Sequence, residues 1–256
     1  MKLTRQHERW APVVLALIVL LLWQAVCTVF EIAEFIFPSP WQIGVSFAEF
    51  AGPLMAAAWK TFWVTMLGFA LSIAVGVMLG FLVGSSRLAY AALYPLLVAF
   101  NAVPKAAIVP ILIVWFGIGL GPGILTAFLI SFFPITVNIA TGLATLEPEL
   151  EDVLRVLGAK RWDVLVKVGL PRSLPYFYAS LKVAITLAFV GTVLAEMTAG
   201  DSGIGYLMQS AASQQRLPLA FAGLVTIGVM AMAMYELFSW VEKRTTGWAH
   251  RGSQAT

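Results

Sequence analysis

Charge is what this 256-residue chain has least of: Asp, Glu, Lys and Arg make up 11% of it, against 60% hydrophobic residues. With a mean hydropathy of +0.89, that composition excludes an ordinary water-soluble domain. There is one cysteine, Cys27, so no internal disulfide can form. It follows Gln24-Ala25-Val26, a poor context for lipid attachment, and is expected simply to pack in the membrane. The two histidines, His7 and His250, lie near the two ends, so no His/Cys cluster exists to hold a metal, which argues against a membrane enzyme. No G-x-x-x-x-G-K-[ST] occurs, so no phosphate-cradling loop is present and the chain is not itself an ATPase. Alternating segments of about ten residues, which would mark an outer-membrane barrel, are also missing.

What the chain has instead is long apolar runs. Trp10 to Phe30, Thr61 to Ser86 and Ala106 to Leu146 are free of charge, and each reaches the roughly 20 residues that cross a bilayer core as helix. The fold class is therefore all-α, a polytopic membrane bundle of about six helices, expected near 11–30, 58–84, 90–116, 122–143, 175–197 and 217–240. Lys2, Arg5 and Arg9 before the first run resemble a secretory signal, but the run is long and lacks a small-residue cleavage site, so an uncleaved helix is expected. Pro95, Pro104 and Pro110 should kink the third span. "GIGLGPG" after Phe116 reads as a tight turn, and "FPSPWQIGVSFAEFAGP" as an interfacial segment. The whole of 1–256 reads as one transmembrane domain: 1–57 the N-terminal helix and outer segment, 58–241 the core with a loop at 144–174, and 242–256 a tail.

Lysine and arginine counts orient the bundle, since cytoplasmic loops carry the excess. With the N-terminus inside, 12 of the 16 fall on the cytoplasmic side, among them Arg87, Arg155, Lys160, Arg161, Lys167 and Arg172. Both termini are expected in the cytoplasm of a cell whose inner (plasma) membrane the chain crosses.

The segment "ELEDVLRVLGAKRWDVLVKVGLP", Glu149 to Pro171, stands out because it holds eight of the 29 charged residues. Acids near its start suit a helix beginning after Pro148, and Glu151 with Arg155 and Asp163 with Lys167 form acid-before-base i,i+4 pairs. Val153, Leu154 and Leu157, then Trp162, Leu165 and Val166, recur at helical spacing. Gly158 between the halves is expected to turn the chain with a positive φ. A solvated connector gains nothing from those apolar residues, so the pattern points to docking against another protein.

These residues resemble the cytoplasmic loop of permease subunits of ATP-binding-cassette (ABC) importers, patterned E-A-A-x3-G-x9-I-x-L-P. Asp152, Val153 and Leu154 fall at E-A-A, Gly158 at the glycine, and Val168, Leu170 and Pro171 at I, L and P. Val-Leu replaces Ala-Ala. Further stretches resemble the nitrate, sulfonate, taurine and thiamine-precursor branch: "FPSP" at 37–40, "VPKAAIVPILIVWFGIGLG" at 103–121, "FFPI" at 132–135 and "AEMTAGDSGIGYL" at 195–207. The resemblance implies coupling helices seated in an ABC ATPase subunit, with Asp152, Val153, Leu154, Arg155, Gly158, Ala159, Trp162, Leu170 and Pro171 as the coupling residues. It implies ATP and Mg in that partner and no cofactor in this chain, a periplasmic or lipid-anchored substrate-binding protein meeting "GIGLGPG" and 198–216, and a second permease, expected as a homodimer with a heterodimer of related permeases as the alternative. The solute would be small and anionic, with a thiamine precursor or other small heterocycle as the alternative.

An ion-coupled secondary transporter is the competing class. It would want acids near the midplane and internal repeats, and Glu196 is the one strong candidate in spans two to five. Lys182 and Glu196 share the fifth span, about 21 Å apart along a helix, where they are expected to reach the interfaces at either side with their stems. The other expectation is that they line a solute path with Asn101, Lys105 and Asn138. Gly68, Ser72, Gly76, Gly80 and Gly84 recur every fourth residue on the second span, a ridge fit for close contact within the chain or across a dimer.

Overall fold

A computed structural model describes residues 5–144, 156, 158 and 161–246. The long helices are α1 (Arg5–Val29), α3 (Ala51–Gly84), α6 (Leu120–Ala144), α7 (Leu170–Ala199) and α9 (Leu217–Thr245). Shorter ones are α2 (Pro40–Glu49), α4 (Arg87–Ala102), α5 (Val109–Phe116) and α8 (Ile204–Ser213). No strand occurs among the described residues.

Five of these helices are long and apolar enough to span a bilayer, and α4 with α5 makes a further candidate bent by 72°. That bent pair is a true crossing, because α3 and α6 run parallel. Gly68 meets Ala127, Gly80 meets Ile139 and Gly84 meets Leu143, in ascending order on both helices. Only a traverse between Gly84 and Leu120 permits that. One end of the bundle, the near end, therefore gathers the starts of α1 and α7, residues 84–88 and the end of α9. The far end gathers 30–60, 117–123 and 195–220.

The bend has a single cause. Val103 precedes Pro104, whose ring disfavours helical backbone before it, and Val103 is extended with ψ 127°. Pro95 lies inside α4, and Pro110 falls in the first turn of α5, where no N–H is required. Of the three prolines expected to kink this span, only Pro104 interrupts the helix.

The ridge on α3 packs within the chain, against α6. A Cβ added at Gly80 would lie 2.7 Å from Ile139 Cβ and 2.8 Å from the Thr136 carbonyl, and one at Gly76 would lie 2.9 Å from Ile135 Cβ. Between Gly68 and Gly76, Ser72 shares a hydrogen bond of 2.7 Å with Ser131. On a neighbouring face of α6, Gly191 of α7 approaches the Ala127 backbone just as closely. Helix α6 is thus held between α3 and α7, and Phe69, Ile135, Ile139, Leu181, Ile185 and Phe189 fill the core around it. The α3–α7 side adds Thr65 to Thr192, 2.9 Å between buried hydroxyls.

The far end carries a second, smaller core. Ser39 caps α2 through a capping box with Gln42, Pro40 takes the first turn, and Ile43 packs with Leu54, Ala211, Leu219 and Ala222. Ten residues cannot cross a membrane, so α2 lies at the far end with Trp41 exposed, in line with its interfacial reading. Cys27 is buried, its Sγ facing the Phe37 carbonyl.

Replacing Gly80 by Ala should cost roughly 1–3 kcal/mol of stability through overpacking against Ile139. Gly44→Ala meets nothing within 4 Å and should stabilise by about 0.5–1 kcal/mol from reduced backbone freedom. Thermal unfolding of the two variants in detergent, with opposite shifts expected, checks the packing.

Candidate functional site

Helix α7 carries the two charges expected to reach the membrane interfaces, and each is held by a partner on another helix. Lys182 Nζ lies 2.7 Å from Glu242 Oε2 on α9, with only 18% and 12% of the two side chains exposed, and it also faces the Tyr235 ring. An ammonium inside a span needs a counter-charge more than it needs a route to water. The sequence reading missed Glu242 because the partner lies 60 residues on, upon another helix.

Glu196 is likewise buried, at 7% exposure. Thr61 Oγ1 of α3 lies 2.9 Å from both carboxylate oxygens and donates to them, while the Gly205 N–H donates to Oε2 at 2.9 Å. Thr61 Oγ1 in turn accepts the Ile204 N–H at 2.8 Å. Helix α8 has no side-chain cap of its own. Its first two N–H groups are satisfied from other helices, one by the Thr61 hydroxyl and one by an acid where the dipole favours negative charge. This explains "AEMTAGDSGIGYL". Gly203 has φ 93°, and a side chain there would run into the Glu196 carboxylate. At Gly205 a Cβ would sit 2.7 Å from Glu196 Cβ. Thr61 escaped sequence reasoning because a lone hydroxyl in an apolar run carries no pattern.

Beside this knot, Lys60 Nζ pairs with Asp201 Oδ1 at 3.2 Å and hydrogen-bonds Ser202. The Ser202 hydroxyl, and then Lys60, hold the exposed Asp201 carboxyl below the usual carboxylate range. A depressed carboxylate keeps its pairing through neutral pH and loses it only as acid is added past that lowered value. Adjacent residues 60 and 61 thus fasten α3 to the α7–α8 turn twice.

At the near end, Gly158 has φ 86° in an exposed turn, and a Cβ added there would meet nothing within 4 Å. Arg161–Val164 forms a helical turn and Leu165–Gly169 a π turn that runs straight into α7. The fifth span therefore begins at Leu170, and Pro175 lies inside it. Pro171 falls in its first turn, where proline is tolerated. Asp163 and Lys167 make the expected i,i+4 pair at 2.9 Å. Asp152, Val153, Leu154, Arg155 and Ala159 lie outside the described residues, as do the side chains of Trp162 and Leu170.

The residues read as a possible path do not form one hydrogen-bonded cluster. Lys105 Nζ donates to the Asn101 side-chain oxygen at 2.8 Å and to its carbonyl, at the bend of the third span. Asn138 Nδ2, half-buried on α6, donates to the Pro134 carbonyl of its own helix at 2.8 Å. No metal-binding group of His, Cys, Asp and Glu occurs among the described residues.

Residues 72–247 match the model of the binding-protein-dependent transport system inner membrane component. The chain belongs to that family. It is an ABC transporter permease, a multi-pass inner-membrane transport component of the importer type. A probable ABC transporter permease of Haemophilus influenzae is 31% identical over 91% of this chain and 95% of that protein. The riboflavin transport system permease RibX of Chloroflexus aurantiacus is 33% identical over 93% and 89%. The putative aliphatic sulfonates transport permease SsuC of Bacillus subtilis is 28% identical over 95% and 90%. Among solved structures, an inward-facing MetNI methionine ABC transporter chain superposes with TM-score 0.66 at 18% identity, covering 75% of this permease and 96% of that chain. It shares the fold.

Lys182→Met should cost roughly 3–5 kcal/mol by leaving Glu242 buried and unpaired, and the double variant Lys182→Met/Glu242→Leu should recover most of it. Thr61→Val should cost about 1–3 kcal/mol for the orphaned Ile204 N–H and Glu196, with Thr61→Ser restoring stability. Thermal unfolding of the four variants measures both.

Proposed function

We propose that this permease carries a small organic or inorganic anion of the sulfonate, taurine or nitrate class inward. The observation that carries this reading is Lys105. Its ammonium sits at the bend of a membrane-crossing segment, held by Asn101 and facing no acid within ion-pair distance among the described residues. A cation so placed is costly in a span and suits a passing anion. The sulfonate assignment of SsuC supports the class, whereas RibX and the formylaminopyrimidine permease ThiX of Halalkalibacterium halodurans keep a small heterocycle as the alternative.

Helix α4 buries no residue within its own chain, and Val114 and Trp115 of α5 are strongly exposed. In a six-span protein such a surface fits a second permease copy, so the working unit is a homodimer with the bent spans near the solute path. Two ATPase subunits, holding ATP and Mg, engage the near end through Asp152, Val153, Leu154, Arg155, Gly158, Ala159, Trp162, Leu170 and Pro171. The near end is cytoplasmic, a reading supported by Arg87, Lys167, Arg172, Lys243 and Arg244 there against Lys60 and Arg216 at the far end. A loaded binding protein docks at the far end, against 117–123 and 198–216.

Transmission follows from α7. It grows out of the segment that meets the ATPase without a break, and its two charges tie it to α9 through Glu242 and to α3 and α8 through Thr61 and Gly205. A push on 149–171 therefore moves a stiff unit rather than one helix, which is what alternating access by rigid-body rocking requires.

Reconstituted complex in proteoliposomes tests both parts. Lys105→Met should lower uptake of labelled taurine or nitrate, whichever the native complex carries, at least about tenfold, with assembly intact; equal uptake removes Lys105 from the path. Gly158→Val should abolish uptake while the ATPase still co-purifies, since a β-branched residue opposes φ 86°. Normal uptake in that variant defeats the coupling turn.

A further inference from the structure

Next to the far-end knot lies a pocket of about 400 Å³ between α3, the 200–203 turn, α8 and the start of α9. Its size falls in the roughly 300–1,000 Å³ range of small-ligand sites. Two cations from separate elements reach it, Lys60 from α3 and Arg216 from the N-cap position of α9. Ser202, Tyr206 and Ser210 add hydroxyls, and alanine and leucine side chains complete the walls.

The two cations differ in how far their charge is already matched. Lys60 is neutralised by Asp201, a contact in which 38% and 62% of the two side chains remain exposed. Arg216 makes no ion pair among the described residues. On its other side it borders a second cleft of about 570 Å³ that Glu34 and Glu49 also line, but neither glutamate lies within ion-pair distance of it. A planar guanidinium with spare donors beside a half-exposed ammonium is the chemistry that recognises a carboxylate or sulfonate. A neutral ligand has no use for the unmatched guanidinium, and a cationic one is repelled by it.

We propose that this pocket binds a small free organic anion whose acid group engages Lys60 and Arg216 and displaces Asp201 from Lys60. The exchange has a mechanical consequence. Asp201 and Ser202 are the residues through which the α7–α8 turn holds Lys60, so an anion in the pocket undoes one of the two fastenings between that turn and α3. The other, Thr61 with Glu196, remains one residue away. Occupancy would thereby loosen the far end just where a solute has to enter. As a first stop of the anionic solute, the site rests to that extent on the proposed function. Its binding is measurable without transport, so either reading can fail alone.

The experiment uses the purified permease–ATPase complex in lipid nanodiscs, without binding protein or nucleotide. Trifluoroacetate and trifluoromethanesulfonate serve as probes, followed by fluorine NMR line broadening, with trifluoroethanol as the neutral control. Saturable broadening of both acids and none of the alcohol is expected. Arg216→Met, which leaves the Lys60–Asp201 contact in place, and Lys60→Met should each weaken binding about tenfold, as loss of a charged hydrogen-bond donor does. Asp201→Asn should tighten it about threefold, because Lys60 is freed of its competitor. The proposal is overturned if the native complex shows no saturable broadening, if the double variant Lys60→Met/Arg216→Met broadens the probes as the native complex does, or if Asp201→Asn fails to tighten binding. Loss of broadening in Lys105→Met with retention in Arg216→Met would also overturn it, by moving the site to the bend of the third span.

Discussion

Helices in lipid gain little by burying leucine against leucine, since the acyl chains are as apolar as the neighbour, and backbone approach has to hold them together instead. In this permease that approach is the parallel contact of α3 with α6. Gly68, Gly76, Gly80 and Gly84 present no side chain, Ser72 presents a hydroxyl that finds Ser131, and Ile135 and Ile139 fill the space so left. The parallel direction is what forces a crossing between the two helices, and that crossing is the bent α4–α5 pair. Gly191 brings α7 equally close to α6, and α7 also touches α3 through Thr192 and Glu196. Three helices thus form a core in which little can shift without a steric cost, and the other spans are arranged around it.

The polar residues of that core add direction to the close packing. Thr65 with Thr192, Ser72 with Ser131, Glu196 with Thr61, and Lys182 with Glu242 each join two different helices. An apolar contact tolerates sliding by a fraction of a turn, whereas a largely buried ion pair at 2.7 Å does not. Removing either member leaves the other unsatisfied, so these ties fix register along the helix axes.

The spans and the bend were legible in the sequence because each has a local physical cause. A run of apolar residues without charge states its own crossing, and Pro104 states the break through its effect on Val103. The positive φ of Gly158 was legible for the same reason, a glycine set between two amphipathic halves. The α3 ridge was visible as spacing, but its partner was not, since nothing in a fourfold repeat of small residues tells whether α6 or another copy lies opposite. Lys182 and Glu196 were found, but their partners were not. Each was judged against the membrane, with water as the nearest relief, although Glu242 and Thr61 on other helices provided it. Lys60, Thr61 and Arg216 carry no periodicity at all, and only the tertiary arrangement makes them neighbours of Asp201 and the α8 N-terminus.

The distribution of ties also bears on how the proposed alternating access divides its motion. Helix α4 has no fully buried residue in its own chain, and its junction to α5 is two extended residues, Val103 and Pro104, followed by one short 3-10 turn, Lys105–Ile108. Helix α1 is nearly as free: only 6% of its span is buried, and its attachment is concentrated where Trp23 meets Phe37 and Phe221 at the far end. By contrast α3, α6 and α7 have interlocked backbones, and α9 is fastened to α7 by charge. Packed cores move as bodies and bend where packing is thin. On the proposed mechanism the force entering at 149–171 therefore travels through α7 as a displacement of the α3–α6–α7–α9 body. The bent span, lightly held and bearing Lys105 at its corner, is the element whose position relative to that body can change with least loss of contact.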